Sequence, residues 1–240
     1  MKDLELYLIP GRNIAKEFRD IYEKTYSMWK KVWIDTMTDE WSQKEGMIYS
    51  DEFTRQDEIL TLFYKGDCVG CVFMKSADFH ESCARDDSYF KVWNDLAIQK
   101  LIRKGKNILV CCNFTVAKQF RRTQDGIRWK DVLATMAVKR LEYSDFDAMT
   151  GTMRRSKGMH TTTLKVGAQM VQENVDYFIC GINEPVDLVV FYRDSIQLNL
   201  SAEIEAMIDQ TWQRVVALAL PLYYQVERVE QGDNIIRMSG

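Results

Sequence analysis

Apolar and polar residues alternate in several short stretches of this chain, a pattern typical of half-buried β-strands. Residues 4–9 alternate in this way and stop at a Pro-Gly pair, which predicts a first strand. Residues 59–64 and 68–74 are rich in apolar and β-branched side chains, and a short turn containing Gly66 separates them. This arrangement predicts an antiparallel hairpin.

Four further strands are predicted after residue 106. Residues 107–116 form a nearly continuous apolar run, which is typical of a central strand covered on both faces. Shorter runs at 147–153, 177–182 and 186–192 predict three more strands, with a turn at 183–185 around a proline.

Apolar residues recur at helical spacing in the stretches between the strands. Asn13 is the expected N-cap of the first helix, and Gly105 the residue that ends the second. The predicted helices span residues 14–36, 88–104, 129–142, 160–173 and 201–219. The order of elements predicts an α/β (α+β) fold with a mixed, mostly antiparallel central sheet flanked by helices. We expect residues 1–195 to form the main domain and residues 196–240 a helical extension packed on it.

Composition narrows the classes of function. The chain has 240 residues, is 46% hydrophobic and carries a formal net charge of -3, so it is expected to be globular and not to bind nucleic acid. The N-terminus does not resemble a signal peptide, and no apolar run approaches the ~20 residues of a membrane span. These features predict a cytoplasmic protein with reduced cysteines.

The cysteine pattern does not favour a metal site. Cys68 and Cys71 form a C-x-x-C motif, but a zinc ribbon needs a second such pair, and Cys111 and Cys112 are adjacent. Buried small thiols are therefore the expected state, and no metal is predicted.

Two segments carry a resemblance to a known family. Residues 65–72 form a hairpin with a turn glycine and a second glycine early in the return strand. In residues 115–122 a valine, Val116, is followed five residues later by Arg121, and Gly126-Ile127 precedes the helix at 129–142. The chain resembles the GCN5-related N-acetyltransferase (GNAT) superfamily in these features, and in the order of elements over residues 1–195. The resemblance implies a GNAT-like acyl-CoA N-acyltransferase fold.

The resemblance also implies a site for a phosphopantetheine thioester. The start of the helix at 129 offers unpaired N–H groups, and nearby arginines can hold a phosphate. In the family's loop pattern, Gly126 takes the first glycine position, whereas Arg128 replaces the second small residue and Thr123 replaces a Gln or Arg. The residues expected to bind acyl-CoA, acetyl-CoA or an acyl-carrier-protein phosphopantetheine arm are Val116, Arg121, Arg122, Thr123, Gln124, Asp125, Gly126, Ile127, Arg128 and Thr163.

No general base is evident. Residues 107–116 contain no Asp or Glu, and residues 169–173, where the family often has a catalytic tyrosine, contain no Tyr. His160 begins a predicted helix beside three threonines, and capping is its expected role. The remaining catalytic candidates are Asn113, Tyr177 and Tyr192.

The predicted function is N-acyl transfer to an amine of a small molecule or peptide. The donor is either acyl-CoA or an acyl-carrier protein, as in the N-acyl amino acid synthase or acyl-homoserine lactone synthase branch of the family, and a homodimer is compatible with either. A basic set would suit an acidic carrier protein: Lys118, Arg121, Arg122, Arg154, Arg155 and Lys157. The alternative is a catalytically silent module that binds acyl-CoA or a partner.

An aromatic group near the N-terminus also has two interpretations. It is either core or dimer packing, which is favoured, or an apolar wall for an acyl chain. Its members are Tyr22, Tyr26, Trp29, Trp33 and Trp41.

Overall fold

A computed structural model describes residues 3–40, 48–122, 126–179, 182–198, 200–218, 226–227 and 237–238. The described strands are β1 (Leu4–Ile9), β2 (Glu58–Tyr64), β3 (Asp67–Asp78), β4 (Asn107–Val116), β5 (Ala148–Arg154), β6 (Gln169–Ile179), β7 (Ile182–Tyr192), β8 (Val216–Ala217), β9 (Val226–Glu227) and β10 (Arg237–Met238). The α-helices are α1 (Arg19–Asp35), α2 (Asp51–Thr54), α3 (Ser82–Asp86), α4 (Asp95–Leu101), α5 (Trp129–Glu142), α6 (Met159–Lys165) and α7 (Ala202–Trp212).

Eight of these strands form one mixed sheet, in the order β6-β7-β5-β4-β3-β2-β1-β8. Antiparallel ladders join β1 to β2, β2 to β3, β5 to β7 and β6 to β7. The β4–β5 and β1–β8 pairs are parallel. The fold class predicted from the sequence, a mixed and mostly antiparallel sheet with flanking helices, is confirmed.

The chain divides into two compact units. Unit 1 comprises residues 1–74, 113–137 and 200–240. Its core contains the buried faces of β1, β2 and the first part of β3, together with three fully buried aromatic side chains, Trp29, Phe53 and Phe73. These rings lie 5.2–5.6 Å apart between centroids, which is the spacing of packed aromatic pairs.

Unit 2 comprises residues 75–112 and 138–199. The segment between β3 and β4 contributes Phe90, Trp93 and Leu101 to its core, where they pack on buried residues of β4, β5 and β7. Each such side chain contributes roughly 1.5–3 kcal/mol through removal of its apolar surface from water. This packing fixes the start of β4 beside β5.

Three of the predicted helix boundaries are wrong. The helix predicted at 160–173 ends at Lys165, because Gly167 adopts a left-handed φ of 96° and residues 169–173 join β6. The helix predicted at 88–104 is a 3-10 turn followed by α4, since the side chain of Asn94 accepts from the N–H of Ala97 and starts a new helix. The helix predicted at 201–219 ends at Trp212, after which residues 216–217 pair with β1.

Two local predictions are also corrected. Asn13 is not the cap of the first helix: it has a φ of 60°, and α1 begins after Phe18. Residues 183–185 are not a turn but lie within β7, where Pro185 is opposite Asp176 of β6. The reversal between β6 and β7 falls at residues 180–181, outside the described residues.

The strand predicted at 177–182 begins eight residues earlier, since β6 spans Gln169–Ile179, and the remaining strand and helix predictions are confirmed within about five residues. The hairpin of β2 and β3 turns at Lys65 and Gly66, and β4 and α5 have the predicted bounds. None of the helices in the described ranges is long and apolar enough to cross a membrane.

Candidate functional site

The parallel strands β4 and β5 pair only at their beginning. Within the described residues, their ladder consists of Ile108 opposite Ala148 and Leu109 opposite Met149. The next β4 donor, the N–H of Cys111, bonds to the side-chain hydroxyl of Thr150 at 3.2 Å. The strands therefore separate after two residue pairs, and we call residues 110–112 and 150–152 the β4–β5 separation.

Tyr89 places its hydroxyl in this separation. The hydroxyl donates to the carbonyl of Cys111 at 3.2 Å and accepts from Thr150 Oγ1 at 2.9 Å and Thr152 Oγ1 at 3.2 Å. All three hydrogen-bonding positions of a phenol are thereby used. Desolvation raises the pKa of Tyr89 well above its ordinary value, so the hydroxyl keeps its proton.

Tyr89 was not among the functional residues predicted from the sequence. Its partners are 22, 61 and 63 residues away in the chain, and the segment that carries it was expected to be helical. No local sequence pattern links Tyr89 to the two threonines of β5. Only the packing of Phe90 and Trp93 into the core of unit 2 brings them together.

The far end of β4 lies in unit 1 and is bonded to α1. Asn113 has a left-handed φ of 50°, and its side-chain oxygen accepts from Trp29 Nε1 at 3.5 Å. Trp33 Nε1 donates to Thr115 Oγ1 at 3.1 Å. The side chain of Asn113, one of the catalytic candidates predicted from the sequence, is thus already bonded to Trp29.

The aromatic group of α1 is packed mainly as a core. Trp29 is 1% exposed, and the ring of Tyr26 lies 5.2 Å from that of Phe53. Tyr22 donates its hydroxyl to the carbonyl of Gly11. Trp41, the last predicted member, lies outside the described residues. These contacts support the interpretation of the group as core packing.

Three arginines surround the start of α5, in unit 1, and differ in their partners. Arg121 Nε donates to the carbonyl of Val116 at 3.1 Å, which closes the end of β4. Arg128 forms an ion pair with Asp131 at 3.4 Å. Arg122 is exposed and bonds to no described residue. The guanidinium of Arg122 is therefore available to bind a ligand.

The backbone of the same loop is typical of a helix start. Gly126 has a left-handed φ of 76°, and a Cβ added there would contact nothing within 4 Å. Ile127 is buried, and the N–H groups of residues 131 and 132 donate to the carbonyl of residue 128. Thr123, Gln124 and Asp125, also predicted to bind the donor, lie outside the described residues.

The other predicted site residues lie in unit 2. Thr163 of α6 is 3% exposed and donates its hydroxyl to carbonyls of its own helix. Tyr192 is a core residue whose hydroxyl donates to the carbonyl of Lys100. Tyr177 packs at the edge of the same core. None of these three side chains is among the partners of Tyr89 described above.

The end of β5 carries two ion pairs with β7. Arg154 bonds to Glu184 at 3.3 Å, and Arg155 bonds to Asp187 at 2.8 Å. Of the predicted basic set, these two arginines are thus neutralised within the fold. Arg155 is nevertheless exposed, as are Lys118, Arg121, Arg122 and Lys157.

The cysteines are free thiols in the described residues, and no cluster of His, Cys, Asp and Glu suited to a metal is found there. Cys68 and Cys71 are buried, as expected for small core residues. Burial raises the pKa of Cys68 to about 11, so it stays protonated at neutral pH.

Neither a family model nor a curated protein matches this sequence. Solved structures do match. FeeM, an N-acyl amino acid synthase from uncultured soil microbes, aligns with a TM-score of 0.52 at 9% identity, over 80% of this chain and 90% of its own. The CoA-dependent acyl-homoserine lactone synthase BjaI, solved with SAM and isopentyl-CoA, aligns with a TM-score of 0.52 at 10% identity, over 91% of this chain and 95% of its own. The chain thus has the fold of GNAT acyltransferases.

Proposed function

We propose that this protein is an N-acyltransferase that moves an acyl group from a phosphopantetheine thioester to an amine of a small molecule or peptide. The observation that carries the proposal is the β4–β5 separation, supported by the fold shared with FeeM and BjaI. A continuous parallel ladder would use the backbone groups of both strands internally. At the separation, side chains of Thr150 and Tyr89 bond the N–H and the carbonyl of Cys111, so an extended ligand that contains amides would pair with the β4 residues that follow Cys111.

The reaction needs a polarised thioester carbonyl and an unprotonated amine. Backbone N–H groups aimed at the carbonyl oxygen stabilise the charge that develops on it during attack. Tyr89 is a neutral hydrogen-bond donor at the separation and holds Cys111 of β4 in place. We assign Tyr89 a positioning role, since all of its hydrogen-bonding capacity is used by the protein.

As a separate proposal within unit 1, the loop before α5 binds a phosphate group. A helix of 14 residues has unpaired N–H groups and a partial positive charge at its start, which favour anions. Arg122 adds a guanidinium that has no partner among the described residues. Val116, Arg121, Gly126, Ile127 and Arg128 shape this loop, and Thr163 is retained as a sequence-based candidate.

The choice of donor is tested by thermal shift with acetyl-CoA, octanoyl-CoA and an octanoyl-loaded acyl-carrier protein. A ligand at 100 times its Kd stabilises the native state by about 2.7 kcal/mol, which is a readily measured shift. Release of free thiol is then followed with a panel of amino acids, S-adenosylmethionine and aliphatic amines. Stabilisation by a donor without turnover on any acceptor would favour the silent binding module instead.

Arg122→Glu tests the placement of the phosphate. Reversing the charge should weaken donor binding at least tenfold while leaving the melting temperature of the free protein unchanged, because Arg122 is exposed. Lys16→Glu is the matched control, since Lys16 is an exposed cation of unit 1 outside the loop. Equal donor affinity in the two variants would show that this loop does not bind the phosphate.

A further inference from the structure

Asp187 of β7 is a buried carboxylate with one oxygen fully engaged. It is 1% exposed, and its Oδ1 accepts from a guanidinium nitrogen of Arg155 at 2.8 Å and from the N–H of Asn174 at 2.9 Å. A buried carboxylate needs such partners to stay ionised. Its second oxygen, Oδ2, points towards His160 of α6, whose Nδ1 lies 3.7 Å away.

The contact with Asn174 depends on an irregularity in β6. The register between β6 and β7 shifts between Gln172 and Val175, and Asn174 within that bulge has a left-handed φ of 51°. Bulges of this kind re-aim backbone groups and often lie at functional sites. Here the bulge turns an N–H towards Asp187, which fixes the carboxylate.

One ring nitrogen of His160 is buried in the protein, while part of the side chain is accessible to solvent. Nδ1 is buried and has no hydrogen-bond partner in the described part of the chain. The side chain is 30% exposed, and this accessible surface comes from side-chain atoms other than the buried Nδ1. Closing the 3.7 Å contact to Asp187 by about 1 Å makes an ordinary hydrogen bond. With its proton on Nδ1 beside the carboxylate, the ring carries a lone pair on Nε2.

We propose that His160, oriented by Asp187, is the base that removes a proton from the acceptor amine. The inference rests on the proposed acyltransferase function and supplies the base that the sequence lacks on β4. The amine nitrogen attacks the thioester carbonyl, a C–N bond forms and the C–S bond breaks. His160 Nε2 takes the proton of the amine and gives it to the departing thiolate, so no further reactant is needed.

The position of His160 and Asp187 relative to β5 is compatible with the proposed role of His160 as a base. Asp187 is opposite Met153, the residue directly after Thr152, which borders the β4–β5 separation. Successive residues of a strand face opposite sides, so Asp187 and Tyr89 approach β5 from its two faces. Helix α6 packs against both β5 and β7, which brings His160 to the face opposite Tyr89.

The charges around the pair are balanced. Arg155 neutralises Asp187, and the neighbouring Glu184 is bonded to Arg154 and to the hydroxyl of Ser156. The four charged residues named from the end of β5 and from β7 therefore form two ion pairs. Asp187 remains as the acceptor that faces the ring.

His160→Gln is the test, and His80→Gln is its matched control. The chain has two histidines, and His80 is an exposed residue whose Nδ1 contacts Asp78 at 2.7 Å. Turnover is measured as thiol release from octanoyl-CoA and from an octanoyl-loaded acyl-carrier protein, with the acceptor panel used above. We expect His160→Gln to lower kcat roughly 100-fold or more with unchanged donor affinity, and His80→Gln to leave kcat within twofold.

The pH profile separates a base from a structural residue. NMR of the two histidine rings, assigned with the His80→Gln variant, gives the titration of His160 without turnover. The ascending limb of kcat/KM should share that midpoint and disappear in His160→Gln. Normal turnover in His160→Gln overturns this assignment and leaves the proposed function intact. A wild-type protein that binds donor but turns over no acceptor overturns both.

Discussion

Tyr89→Phe removes one hydroxyl and nothing else from the β4–β5 separation. The ring of Tyr89 packs at 5.1 Å from Phe90 and 6.3 Å from Trp93, and phenylalanine keeps these contacts. The hydroxyl, in contrast, makes three hydrogen bonds, to Cys111 and from two threonines of β5. The substitution therefore isolates the polar contribution of this residue.

The expected cost follows from the groups left behind. A buried acceptor that loses its donor costs about 1–3 kcal/mol, and a typical lost hydrogen bond about 1 kcal/mol. Thr150 keeps its bond from the N–H of Cys111, and Thr152 is partly exposed, so water can replace its partner. We therefore expect the free energy of unfolding to fall by about 2 kcal/mol. This value lies at the lower end of the sum of the two costs given above.

Urea denaturation measures this loss. With an m-value of about 2 kcal/mol/M, the midpoint should fall by about 1 M at an unchanged m-value. Tyr49→Phe is the control, because Tyr49 is 69% exposed and should change stability by less than about 0.5 kcal/mol. The double variant Tyr89→Phe/Thr152→Val should lose less stability than the sum of the losses in the two single variants. Each single substitution already removes the same Tyr89–Thr152 hydrogen bond.

A small effect would refute the reasoning. If Tyr89→Phe and Tyr49→Phe have equal stabilities, the hydroxyl of Tyr89 does not hold the separated strands. Strict additivity with Thr152→Val would show that these two groups do not interact. Either result would also remove the positioning role assigned to Tyr89.

Two further predictions concern close packing and thiol ionisation in unit 1. A Cβ at Gly70 would lie 2.4 Å from the carbonyl oxygen of Thr115, so Gly70→Ala should cost about 1–3 kcal/mol in urea denaturation, and an unchanged midpoint would contradict this close approach. Cys68, with its pKa raised to about 11, should resist a thiol reagent at pH 8, whereas the exposed Cys83 of unit 2 should react; equal rates would contradict the burial. The unfolded thiol ionises from about pH 8.5, so this contribution to stability should decline as pH rises from there to about 11.

Local sequence determined the elements whose patterns are long and uninterrupted. The continuous apolar run of β4, the alternation of β1 and the glycine turn of the first hairpin were predicted with nearly correct bounds. The position of the loop before α5 was also predicted from sequence, because a glycine and a basic cluster precede a run of apolar residues at helical spacing. Such signals depend on neighbouring residues, which the sequence displays directly.

Boundaries that depend on distant residues were decided by the tertiary structure. Residues 169–173 have a pattern compatible with a helix, but hydrogen bonding to β7 places them in a strand. Gly167 reinforces this choice, since its left-handed backbone packs against residue 197 and ends α6. Local propensity is a weak preference that such pairing overrides.

The proposed positioning residue Tyr89 and the proposed base His160 also depend on residues that are distant in the chain. Tyr89 meets Thr150 and Thr152 across more than 60 residues, and His160 meets Asp187 across 27 positions of the chain. The sequence supplied these residue types but not their pairing, because a buried hydrogen bond between distant residues leaves no periodic signal. Sheet register and helix packing bring them together, and only the folded chain contains that information.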